Sequence, residues 1–135
     1  MLKIQHIDHI VLRVVDLQAM MDFYQLLGCT VERTQKEIGL YQLRAGSSLI
    51  DLVPVNQKLG RAGGAAPGKE GRNMDHVCLR IDPFDGEQIL RYLRDNDIEP
   101  GQVESRYGAE GEGPSIYVSD PENNVVELKG PPWEN

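Results

Sequence analysis

Two eight-residue stretches constrain this chain more than any other feature. Residues 7–14 read I-D-H-I-V-L-R-V and residues 74–81 read M-D-H-V-C-L-R-I. Asp, His, Leu and Arg are identical, and every other position exchanges one apolar side chain for another. Each copy sets one imidazole, His9 or His76, inside an apolar strand-like run. A repeat of this kind has to be settled before any fold is assigned, because it describes two copies of one supersecondary unit.

The repeat extends further. Residues 41–52, Y-Q-L-R-A-G-S-S-L-I-D-L, align without a gap on residues 117–128, Y-V-S-D-P-E-N-N-V-V-E-L, which sets Asp51 on Glu127 and Tyr41 on Tyr117. The histidines are 67 positions apart and the carboxylates 76. The nine additional residues are expected before Tyr117, most of them in the glycine-rich loop 107–114.

Each copy reads as β-α-β-β-β. Residues 3–15 form a β-branched run expected to be a strand buried on both faces. Asp16 is placed to cap a helix carrying Leu17, Met20, Met21, Tyr24 and Leu27, with Gly28 to end it. Strands are expected at 29–36, 40–44 and 48–55. Residues 56–73 are rich in glycine and read as a linker or as a flap. The second copy runs through a strand at 74–81 and a helix started by Asp82-Pro83 or by Asp85-x-x-Gln88, which has capping-box spacing. That helix buries Ile89, Leu90, Tyr92 and Leu93. Strands at 98–104, 115–119 and 124–129 complete it, with a turn at 120–124. The fold class is therefore α+β, organised as a first module over 1–55, a linker over 56–73 and a second module over 74–135.

Composition excludes some partners. The 135 residues carry a net charge of −7, so nucleic acid and anionic membranes are not expected partners. No apolar run approaches the roughly 18 residues of a membrane span. The N-terminus carries no secretory signature, and the two cysteines, Cys29 and Cys78, read as buried reduced thiols, so a cytoplasmic location is expected.

His9, Asp51, His76 and Glu127 carry the chemistry. Each carboxylate stands between apolar neighbours on a strand, where an ionised group needs a cation or hydrogen bonds. Alone, each is equally a solvent-facing polar residue. As two imidazoles and two carboxylates at equivalent repeat positions, they form a donor set for one divalent ion: Zn, Ni, Mn, Co or Fe. Strand alternation puts Arg13 on the face of His9 and Arg80 on that of His76, where they anchor an anionic group or end in solvent. Ser115 and Tyr117 share a face beside Glu127, and Tyr41 is Tyr117's counterpart in the repeat. These hydroxyls orient a substrate or serve as ordinary core. His6 lies on the opposite face from His9.

At these residues the chain resembles the vicinal oxygen chelate superfamily, which includes glyoxalase I, bleomycin-resistance proteins, fosfomycin-modifying transferases and extradiol dioxygenases. The likeness rests on I-D-H-I-V-L-R-V-V-D-L and F-Y-Q-L-L-G in the first copy, and on M-D-H-V-C-L-R and S-I-Y-V-S-D-P-E-N-N-V-V-E-L in the second. G-A-E-G-E-G-P-S-I-Y-V-S-D-P is most similar to small glyoxalase-domain proteins. The resemblance implies paired βαβββ modules forming a curved sheet or barrel around a metal cavity, and a homodimer. It also implies a small substrate that chelates the metal through two oxygens. His9, His76 and Glu127 match the family's ligand positions, and Asp51 stands where that family usually has Glu. The activity implied is a metal-dependent lyase or isomerase of glyoxalase type, passing through a metal-stabilised enediolate with Glu127 and Asp51 as catalytic carboxylates. The alternatives are an extradiol-type dioxygenase, a fosfomycin-type thiol transferase, or a non-catalytic binding or resistance protein.

Overall fold

A computed structural model describes residues 1–134. The chain divides into two compact units, Met1–Asn73 and Met74–Asn135. In the first, β1 (His9–Val14) is followed by α1 (Leu17–Leu26), β2 (Thr30–Gln35), β3 (Leu40–Ala45) and β4 (Ser48–Pro54). In the second, β5 (His76–Arg80) is followed by α2 (Gly86–Asp95), β6 (Glu104–Gly108), β7 (Gly111–Ser119) and β8 (Val125–Lys129). Each unit is thus one βαβββ module. The sheet orders are β1-β4-β3-β2 and β5-β8-β7-β6, and in each the first strand runs parallel to the last.

One face of each sheet is apolar. On β1, Leu12 and Val14 are buried, while His9 and Val11 on the other face are exposed, so the strand is not covered on both sides. It also starts at His9 and not at residue 3. Its parallel partner β4 begins at Ser48, so upstream residues meet no backbone ladder beyond Leu49 N–H to the Asp8 carbonyl. Asp16 caps α1 by accepting from Ala19 N–H, and Met20, Phe23 and Tyr24 supply its buried side at i, i+3 and i+4. Gly28 follows with φ +115°, a conformation that favours glycine.

The second helix starts at Asp85, whose side chain accepts from Gln88 N–H, and not at Asp82-Pro83. Leu93 is buried, whereas Tyr92 is exposed, contrary to the helical-face expectation. Residues 98–103 are not a strand. Pro100 has no N–H to give a ladder, and Gly101 N–H binds the Tyr117 carbonyl, so pairing begins only at Glu104. The stretch 107–114 is not a loop. It belongs to a β6–β7 hairpin that pairs Gly108 with Gly111 across the two-residue turn Ala109-Glu110. After β8, Trp133 returns to this hairpin through its backbone N–H to Glu112 and its indole N–H to Ser105.

Residues 56–73 fold against the first module. They contain a 3₁₀ turn, Gly60–Gly63, and end at Asn73, whose amide both accepts from Arg13 N–H and donates to the Arg13 carbonyl, each at 3.0 Å. A side chain thereby satisfies the outer edge of β1 as another strand would. Among the described residues no helix is long and apolar enough to cross a membrane.

Candidate functional site

Strand register fixes which side chains share a face. In the first module Val11, Asp51 and Gln42 lie abreast across β1, β4 and β3. In the second, Cys78, Glu127 and Tyr117 lie abreast across β5, β8 and β7. His9 and His76 stand two residues upstream on those same faces.

The structural counterpart of Tyr117 is therefore Gln42, not Tyr41. Between equivalent paired positions, Arg44–Leu49 in the first module and Ser119–Val125 in the second, the β3–β4 connection (45–48) is one residue shorter than the β7–β8 connection (120–124), which is fastened by Asp120 accepting from the backbone N–H groups of Glu122 and Asn124. One extra residue shifts the register by one and reverses the face of every upstream side chain. Tyr41 consequently points to the apolar side, opposite Leu52. Eight of the nine additional residues precede Tyr117 and one follows it.

Each module presents the same triad. Asp8 Oδ1 lies 2.7 Å from His9 Nδ1, and Asp75 Oδ2 lies 2.7 Å from His76 Nδ1. A carboxylate only accepts, so Nδ1 carries the proton and Nε2 is left as the lone-pair face. Nε2 of His9 faces Asp51 Oδ2 at 3.9 Å, and Nε2 of His76 faces Glu127 Oε1 at 3.3 Å. The imidazoles are accessible, with side chains 47% and 35% exposed, while the carboxylates are deep, at 5% and 7%. The hydrogen bond that His9 donates to Asp8, followed by the charge of Asp51, raises the His9 pKa above its ordinary value.

The carboxylate environments differ. Gln42 Nε2 lies 3.3 Å from both oxygens of Asp51, an amide pinning an acid. Glu127 instead lies abreast of Tyr117 and Cys78, whose hydroxyl and thiol face its charge. Burial first, then the charge of Glu127, raises the Tyr117 pKa. Burial around the sulfur, followed by the same charge, pushes the Cys78 thiol up to about 11, although the residue as a whole is exposed. Cys78 is thus not a buried core thiol; Cys29 is buried as expected.

Arg106 escaped the sequence reading because β6 was placed too early. Its guanidinium stacks 4.0 Å above the Tyr117 ring and donates to Ser115 Oγ at 2.7 Å. The Tyr117 ring in turn meets His76 edge-on at 5.6 Å. Ser115 is fully buried and supports Arg106. Arg13 uses its fork on the carbonyls of Gly60, Gly64 and Ala65, at 2.7–3.0 Å, so it fastens the 56–73 segment. Gly63 sits against it: a Cβ there would stand 2.4 Å from the guanidinium carbon. Arg80 pairs with Glu110 at 2.7 Å.

Among the described residues no three His, Cys, Asp or Glu side chains form a ready metal cluster; within each module one imidazole faces one carboxylate. The donor chemistry fits a divalent ion all the same. The ion-pair partners of the two deep carboxylates are imidazoles, and both imidazoles are held by an outer carboxylate in the tautomer that a metal ligand needs.

Comparison with known proteins follows this geometry. The family-wide description of the Glyoxalase/Bleomycin resistance protein/Dioxygenase superfamily matches residues 6–128. The chain belongs to that superfamily. It is 33% identical over 130 residues to glyoxalase domain-containing protein RDO1 of Mycosarcoma maydis, covering 94% of this chain and 69% of that one. The virulence protein STM3117 from Salmonella typhimurium shares the fold at TM-score 0.79 and 24% identity, covering 96% of this chain and 99% of that chain. Lactoylglutathione lyase from Agrobacterium tumefaciens shares it at TM-score 0.64 and 19% identity, covering 93% and 92%.

Proposed function

We propose that this superfamily member is a divalent-metal-dependent lyase or isomerase of the glyoxalase type, acting on a small substrate that offers two neighbouring oxygens. The observation that carries this reading is the twice-built Asp–His–carboxylate arrangement, Asp8–His9–Asp51 and Asp75–His76–Glu127. His9, Asp51, His76 and Glu127 would hold one ion, with the two modules meeting either within one chain or across a homodimer. When bound, the metal supplies Lewis-acid polarisation of the substrate's oxygens.

The protein's own groups do the rest. Glu127 takes a proton from the carbon beside the substrate carbonyl and returns it to the neighbouring carbon. Tyr117 and Cys78, both protonated at neutral pH, face Glu127 as donors and fix its orientation. Asp51, pinned by Gln42, is the more rigid carboxylate and is assigned to holding the ion. Asp8 and Asp75 accept from Nδ1 and so fix the tautomer and aim of both imidazoles. A fourth protein ligand at Asp51 favours this chemistry over extradiol oxygenation, which uses a two-histidine, one-carboxylate face with open positions. Two free cysteines accord with a reducing, cytoplasmic setting.

The test is a methylglyoxal–thiol assay on protein loaded with Ni²⁺, Zn²⁺, Mn²⁺, Co²⁺ or Fe²⁺. Metal-dependent turnover that disappears in His76→Ala is expected. Oxygen consumption with catechols, in place of this turnover, would contradict the assignment.

A further inference from the structure

Lys129 and Arg80 form a cationic pair that the reaction above leaves unused. Register sets Lys129 opposite Arg80 on one side and Ser115 on the other. Lys129 shares the face of Glu127 and stands two residues beyond it, about 6.6 Å along the strand. It is only 5% exposed. A lysine this deep is ordinarily paired with a carboxylate. Here Nζ donates to the Gly111 carbonyl at 3.0 Å and makes no ion pair among the described residues, which leaves donors unspent.

The β6–β7 hairpin is shaped around this lysine. A Cβ at Gly108 would stand 2.9 Å from Lys129 Cε, and one at Gly113 would stand 3.1 Å from Nζ and 2.5 Å from the Pro131 carbonyl. Glycine at both positions lets the hairpin backbone lie directly over the side chain. At its tip, Glu110 reaches back to Arg80 Nε at 2.7 Å, while Arg80 Nη1 donates to the Ile81 carbonyl at 2.8 Å. The hydrogen bond from Arg80, with the charges of Arg80 and Lys129, lowers the Glu110 pKa. A carboxylate on an exposed two-residue turn is thus paired with Arg80 and within the field of Lys129, both on the face that carries Glu127.

We propose that Arg80 and Lys129 form a carboxylate-binding subsite, filled by Glu110 in the free protein and taken over by the carboxylate of an acidic substrate. The substrate class is then a small oxo or hydroxy acid with a carboxylate beyond its two chelating oxygens. That assignment rests on the metal-dependent reading above; the subsite as a binding site does not. Glu110 is carried to this place by the folded β6–β7 hairpin, so it competes at high effective concentration. Removing its charge while keeping its shape should unmask the subsite.

The experiment is an NMR titration of the full-length, metal-free protein with glutarate, with glutaramide as the uncharged control. Saturable shifts of the Gly108, Gly111 and Gly113 amides are expected with glutarate and not with glutaramide. E110Q should bind at least 5-fold tighter than the parent protein. K129M should bind at least 10-fold more weakly, and R80Q, at an exposed strand position, should weaken binding without disturbing a buried residue. An E110Q protein that binds glutarate no better than the parent, or binds glutaramide equally well, would overturn the proposal. Because the titration uses no metal, failure of the metal reading leaves it intact. Glutarate binding by a protein that takes up no metal would confirm the subsite and overturn only its assignment to a chelating substrate.

Discussion

The two modules use one backbone plan for unequal ends. In the first, Asp51 lies 3.9 Å from His9 Nε2 and is held by the amide of Gln42. In the second, the longer Glu127 closes to 3.3 Å of His76 Nε2 and is met by a phenol and a thiol, with Arg106 stacked behind the phenol. The duplicated Asp–His pair keeps the imidazole tautomer constant. The residues around it have diverged, and the proposed function assigns one half to holding the ion and the other to the reaction. One added residue in the turn at 120–124 is enough to separate them, since it brings Tyr117 rather than a counterpart of Tyr41 onto the working face.

This asymmetry makes the carboxylate variants the sharpest way to break the comparison. Glu127→Gln should lower kcat at least 1000-fold with modest change in metal content. Asp51→Asn should chiefly weaken metal binding and recover turnover at excess metal. Equal behaviour of the two in kcat and metal titrations would erase the division of roles. Next in size are the outer carboxylates. Asp8→Asn and Asp75→Asn should each cost about 10–100-fold in metal affinity, by analogy with other second ligand shells. The two should match, because this part of the design is the same in both modules; isothermal titration measures it.

How far the sequence revealed this site follows from particular residues. The repeat carried both βαβββ units, both caps and the four ligand-type residues, because alternation and capping are local rules. Strand parity separated Asp8 from His9, yet they are bonded. Asp8 and Asp75 immediately precede β1 and β5, where pleating no longer dictates direction. An ungapped alignment cannot see a one-residue difference in turn length, so Gln42 stayed hidden. Glycines at 108 and 113 read as loop because their reason, the Lys129 side chain and the Pro131 carbonyl pressed against the hairpin, is tertiary, while Gly111 answers to a local φ of +110° after the turn.

The smallest expected difference concerns the helix caps. Asp16→Ala and Asp85→Ala each remove a side-chain acceptor from one backbone N–H, and each should cost about 1 kcal/mol in denaturant unfolding. Loss confined to one of the two would show that the modules differ in their folding as well as in their chemistry.

The central claim is that both modules serve a single ion. Metal content of the purified protein, with His9→Ala and His76→Ala beside it, tests this most directly. One divalent ion per chain, lost entirely in either variant, is the result this account predicts. Two ions per chain, half of them retained in each variant, or none after incubation with Ni²⁺, Zn²⁺, Mn²⁺, Co²⁺ or Fe²⁺, would contradict it.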